Sequence, residues 1–200
     1  MFRVTTRIYR QSARAAAAEA TRERILDAAL ELFLVRWFDD VTLRTVAAEA
    51  GVALQTVVNH FGTKDALFLA TVERYSESIR SLRDQVGPDD VRHAAEILAA
   101  DYERHGDANV RAQSVAHRIP AIADGLDDGR RYHCDWVERT FPGALAGLSG
   151  AARNRRVLAL SAATDVTTWK YLRRDHGLSQ ARTAAVLQEL IEALYPDRRS

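Results

Sequence analysis

The sequence predicts an all-α protein: a small three-helix head followed by a larger helical body. Apolar residues recur at three- and four-residue spacing along nearly the whole chain, and no segment alternates with the period of a strand. Only 4 Pro and 10 Gly among 200 residues leave little room for the many turns of a sandwich or barrel. About nine helices account for the pattern.

The first helix is expected from Thr21, a residue able to cap it, with Ile25, Leu26, Ala29, Leu32 and Phe33 on one face. After WFDDV, Thr42 caps a short second helix, TLRTVAAEA, which Gly51 ends by taking a left-handed conformation. A third short helix, ALQTVVNHF, follows at once and stops at Gly62. Thr63 then caps a long fourth helix whose inner face carries Phe68, Val72, Tyr75, Ile79, Leu82 and Val86. Pro88 is placed to open a fifth helix, lined by Val91, Ala95, Leu98, Tyr102 and His105. A shorter helix is expected over 107–118, and one from Pro120 to Phe141 that Gly125 and Gly129 weaken. One long helix is expected over 151–174, and Ser179 caps the last, which runs to Pro196.

Composition bounds the function classes. A single cysteine, Cys134, cannot form an internal disulfide, and a cytoplasmic location is expected. No apolar run approaches the roughly 20 residues that span a bilayer, so no membrane partner is expected. Arginines at 3, 7, 10 and 14 interrupt the stretch where a signal peptide needs an apolar core. The net charge is only +1, but its distribution is uneven. Residues 1–24 carry six arginines against Glu19 and Glu23, a net +4, whereas residues 25–74 carry −3. Any electrostatic grip on phosphate must therefore lean on the N-terminus, which reads as a flexible basic arm over 1–20.

Two short helices joined by a tight glycine turn, with small residues where they touch, describe a helix-turn-helix. Ala47 and Ala50 allow close approach, while Val46, Val52 and Val57 point into a small core. Leu54, Gln55, Thr56, Val58 and Asn59 are left to face outward, on a helix that fits a major groove about 12 Å wide. Gln55 and Asn59 are the candidates for base readout, because an amide can pair with adenine at two atoms at once.

The run from Thr21 to Leu67, TRERILDAALELF followed by VTLRTVAAEAGVALQTVVNHFGTKDAL, resembles the DNA-binding head of TetR-type transcriptional regulators. The resemblance implies a head over 21–67 and a ligand-binding and dimerisation body over 68–200. It also implies a homodimer through the last two helices, since TDVTTWKYLRRDHGLS is similar to the tail of such bodies. Thr42, Arg44, Thr56, His60 and Lys64 fall at positions where the family meets DNA. Lys64 suits a phosphate on chemical grounds too, as a cation at a helix N-terminus with free N–H groups.

Three residues depart from the family pattern. Trp37 replaces a glycine that closes the first helix, Ala53 replaces a capping serine, and Val58 replaces a tyrosine whose hydroxyl reaches a phosphate. The expected function is a repressor on a palindromic, double-stranded operator, released by a small-molecule effector. The alternative is a helix-turn-helix protein that has lost DNA binding and acts through protein contacts.

Candidate ligand-facing residues in the body are Tyr102, His105, His117, Trp136, Phe141 and Trp169, aromatic or polar groups of the kind that line pockets. No nucleotide-binding glycine loop, nucleophile elbow, zinc helix motif or cysteine pair is present, so neither an enzyme nor a cofactor or metal is expected.

Overall fold

The structure, a computed structural model, describes residues 3–196, with side chains from residue 13 onward. The chain divides into two compact units, Met1–Arg74 and Tyr75–Ser200. Among the described residues every regular element is a helix.

The head begins with α1 (Arg3–Val35), so the segment read as a flexible arm is helical from Arg3 and the helix start expected at Thr21 is not one. Thr21 instead bonds back along the helix, its hydroxyl donating to Ala17 O at 2.9 Å. The unbroken alanines at 15–18 explain the extension: they have the highest helix propensity, and every side chain from 13 to 20 is exposed. Further along, Ile25, Leu26, Ala29 and Leu32 are buried against Val41, Val46, Val57 and Leu67. The helix ends without a left-handed residue, because Trp37 is extended at φ −67°. Tryptophan in place of glycine therefore carries no left-handed strain here.

A 3-10 turn, Phe38–Asp40, leads to α2 (Leu43–Glu49). Thr42 caps α2 reciprocally with Thr45: its Oγ1 accepts from Thr45 N at 3.1 Å, and Thr45 Oγ1 accepts from Thr42 N at 3.0 Å. Gly51 takes φ 64° and turns the chain into α3 (Leu54–Phe61). α4 (Lys64–Arg83) follows, with Thr63 Oγ1 accepting from Ala66 N at 3.1 Å. Phe33, Phe38 and Phe68 form an aromatic trio with centroids 5.1–5.9 Å apart. Arg74 ties α4 to α1 by donating to Glu23 at 2.7 Å and to Asp27.

The division between the units falls within α4. The body's central helix is α5 (Val91–Val115), capped by Asp90 and not opened by Pro88, which lies in the preceding turn. Asp89 there adopts φ 59° and its carboxylate accepts from Gly143 N at 2.9 Å and Tyr195 Oη at 2.6 Å. The break expected near Asp107 is absent, and α5 runs through Gly106 because glycine is needed at that point. A Cβ on Gly106 would lie 2.3 Å from Cζ3 of Trp169.

α6 (Pro120–Thr140) is continuous through Gly125 and Gly129, held by buried Ile122, Trp136 and Val137 and by the pairs Arg130–Asp127 and Arg131–Asp128. After the short α7 (Pro142–Leu145), the long helix expected over 151–174 is interrupted. It forms α8 (Gly150–Ala163), α9 (Val166–Lys170) and a π-helical turn, Tyr171–Asp175. Asp165 makes the break, capping α9 by accepting from Thr167 N at 2.8 Å. Finally α10 (Gln180–Glu192), capped by Ser179, packs along α5. Leu98, Trp136, Phe141, Leu160, Trp169 and Leu187 are the bulk of the body's core, each fully buried side chain contributing about 1.5–3 kcal/mol.

Candidate functional site

In the head, the inward side of α3 is Val57, which is completely buried. Its other faces carry exposed Leu54, Gln55 and Asn59 and half-buried Thr56, Val58 and His60. Gln55 and Asn59 lie one turn apart and are joined: Gln55 Nε2 donates to Asn59 Oδ1 at 2.9 Å. Thr42 and Arg44 are exposed at the start of α2.

Lys64 is half-buried, its ammonium 4.2 Å above the Phe38 ring and donating to Phe38 O at 2.9 Å. The cation thus has an internal seat at the start of α4, and the Phe38 carbonyl that holds it was invisible in the sequence. Ala53 provides no side-chain cap to α3. A serine or threonine there typically adds about 1 kcal/mol.

In the body, the structure brings together Tyr102, His105 and Trp136 from the residues singled out by sequence. Phe141 and Trp169 are completely buried core residues, and His117 is exposed in the turn after α5. The residues that organise the cluster are ones sequence reading missed: Arg83, Asp101, His133 and Thr164. Arg83 and Asp101 are 6% and 5% exposed, a buried ion pair at 3.5 Å. Only Arg83 carried a signal, since it continues the inward spacing of Tyr75 and Ile79.

The hydrogen bonds of the cluster fix its protonation. A guanidinium has only donors, so His133 Nδ1 accepts from Arg83 Nη1 at 3.0 Å and the ring proton sits on Nε2, 2.9 Å from Thr164 Oγ1. Burial pushes the His133 pKa down to about 4, and the Arg83 charge adds to the effect. Tyr75 donates to Asp101 Oδ1 at 2.9 Å, and His105 Nδ1 donates to the same oxygen at 3.0 Å.

Tyr102 donates to Thr164 O at 3.0 Å, and burial pushes its pKa up to about 12. Tyr75 is raised as well, by burial and then by Asp101. Burial works against the charge on Arg83, but the oxygens of Tyr102 and Asp101 outweigh it and its pKa is raised. Among the described residues no group of three or more His, Cys, Asp or Glu side chains is arranged to hold a metal ion, and no helix is long and apolar enough to cross a membrane.

A glycine-turned pair of short helices with an exposed amide face on the second is a helix-turn-helix. The family model for bacterial regulatory proteins, tetR family, matches residues 25–71, so the head is of that family's kind. It is 31% identical over 125 residues to an HTH-type transcriptional repressor of Mycobacterium tuberculosis, covering 58% of this chain and 63% of that protein. The chain thus spans less than two thirds of that relative's length. Over 50 residues it is 50% identical to the HTH-type transcriptional regulator SrpR of Pseudomonas putida, covering 25% of this chain and 24% of that one. A regulator from Saccharomonospora viridis, solved in complex with choline, superposes with TM-score 0.71 at 18% identity, covering 90% of this chain and 100% of that one. That likeness shows the fold over 90% of this chain.

Proposed function

We propose that the protein is a homodimeric transcriptional repressor that binds a palindromic operator through α2 and α3 and leaves it when a small molecule binds the body. The observation that carries the reading is the outer face of α3, where joined Gln55 and Asn59 stand exposed beside buried Val57. Thr42, Arg44 and Lys64 are the backbone contacts around this reader, and residues 1–20 add a basic grip that offsets the missing tyrosine at Val58. In the proposed division, 21–67 is the reading head and 68–200 the sensing and pairing body. Such a protein works in the cytoplasm, where the DNA is.

Two exposed leucines support pairing through the last helices: Leu158 on α8 is 55% exposed and Leu190 on α10 is 40% exposed. A second copy covering them removes apolar surface that a monomer leaves in water. With two-fold symmetry the recognition helices read half-sites about 34–36 Å apart, or further on a longer operator. The choline bound to the Saccharomonospora viridis regulator supports a ligand-responsive body.

Selection of duplexes from a random pool tests the reading. An inverted repeat bound by two chains is the expected product. Enrichment of no sequence at all would refute it and leave protein contacts as the head's role.

A further inference from the structure

The buried cluster of the body leaves donors without partners, and their chemistry is directional. Arg83 carries five N–H donors. Its Nη1 meets His133, but Nη2 has only long contacts, 3.4 Å to Tyr102 Oη and 3.5 Å to Asp101 Oδ2, and the buried Nε has no partner. Asp101 gives Oδ1 to Tyr75 and His105 and turns only Oδ2, at 3.5 Å, toward Nη2, so the fork is not closed by a bidentate carboxylate. Nε and Nη2 form the side-on fork of a guanidinium, whose two parallel N–H groups match the two oxygens of a carboxylate.

A second orphan lies beside it. The Tyr132 hydroxyl is buried without a partner, and its ring is 5.8 Å from the Arg83 guanidinium. Exposed Arg80 and Arg139 lie 5.2 Å and 6.0 Å from the same ring. Three cations therefore surround one tyrosine, against Asp101 on the Arg83 side and Asp84 near Tyr132. Asp165 acts on Tyr102 and His133 as well, but two of the three arginines face water, where they draw an anion inward. Both orphaned groups can donate, and a ligand without an acceptor would leave Arg83 Nε unsatisfied.

We propose that the Nε–Nη2 edge of Arg83 and the Tyr132 hydroxyl form a seat for a small organic carboxylate, walled by the rings of Tyr102, Tyr132 and Trp136. The proposal rests on the ligand-responsive reading above only for the consequence of binding, and not for the seat itself.

The test is thermal unfolding and calorimetric titration of the full chain with benzoate, phenylacetate and hexanoate, each against its amide, with choline as the cationic control. At least one carboxylate raises the Tm and binds about ten-fold or more tightly than its amide, and choline does neither. Tyr132→Phe weakens binding several-fold. The surface double variant Arg80→Ala with Arg139→Ala weakens it and flattens its salt dependence. Arg83→Met alone strands Asp101, so it is combined with Asp101→Asn to keep the charge balanced, and circular dichroism checks the fold.

Three silent carboxylates, an amide that matches its acid, or undiminished binding in the Arg83→Met, Asp101→Asn variant would each overturn the seat. Operator affinity, read separately, distinguishes the two ideas. A carboxylate that binds through Arg83 without releasing DNA upholds the seat and removes ligand release from the function. Release by benzoate that persists in the Arg83→Met, Asp101→Asn variant removes the seat and upholds ligand release.

Discussion

Gln55 Nε2 donates to Asn59 Oδ1 at 2.9 Å, so the two amides on the outer face of α3 act as one unit. The carbonyl of Asn59 keeps a second lone pair and its amide keeps both protons, which leaves it able to meet an adenine edge while Gln55 fixes its orientation. Asn59→Ala is expected to cost about 1–3 kcal/mol at one base-pair position and to relax preference there, measured with single-base operator variants. An equal loss on every duplex would show instead that Asn59 is a non-specific contact.

Lys64 is expected to behave in the opposite way. Its charge rests over Phe38 at the start of α4, and in the proposed reading it meets a phosphate there. Lys64→Met should weaken binding by a similar factor on all sequences and lower the salt slope by about one. A change in base preference would contradict this assignment.

The two short helices of the head differ in their caps, and the difference predicts stability. Thr42 closes a reciprocal box with Thr45, whereas Ala53 leaves the N-terminus of α3 uncapped. Thr42→Ala should destabilise the head by about 1 kcal/mol, and Ala53→Ser should stabilise it by about the same amount, read from urea midpoints at constant m.

Much of the head was legible before any coordinates because its signals are local. Thr42, Gly51, Gly62 and Thr63 mark helix ends within a few residues of the apolar positions they serve, and each acts where the sequence placed it. The N-terminal extension of α1 escaped because Thr21 looks like a cap while the alanines before it carry no start signal. In the body the break at Asp165 was hidden inside an apolar period that runs on through it. The polar cluster was less legible still. Arg83, Asp101, His133 and Thr164 come from α4, α5, α6 and the end of α8, and no spacing in one helix announces a partner on another.

That cluster makes stability depend on acid. His133 is half-buried and neutral, with its pKa pushed down to about 4 from an ordinary 6.5. The unfolded chain therefore takes up the proton first. Its contribution is complete above about pH 6.5, falls as the pH drops toward 4, and is level below that. The loss amounts to about 3 kcal/mol. Urea unfolding at pH 7, 5.5 and 4.5 should show this decline, and His133→Gln should flatten it. A decline unchanged in the variant would assign it to other groups.

Gly106 packs directly against Trp169, which fills the space a side chain needs. Gly106→Ala should cost about 1–3 kcal/mol or more through overpacking, despite the higher helix propensity of alanine. Calorimetry would show a lower Tm. A gain in stability would mean that Trp169 can move aside freely.

The central claim is that the face carrying Gln55 and Asn59 reads duplex DNA in a sequence-specific way. Fluorescence anisotropy on duplexes tiled from the DNA flanking the gene, repeated across salt concentrations, tests it most directly. The account predicts one fragment bound with a Kd of about 10⁻⁸–10⁻¹¹ M and a steep salt slope. Binding of about 10⁻⁴–10⁻⁶ M to every fragment, and to every duplex from a random pool, would contradict it.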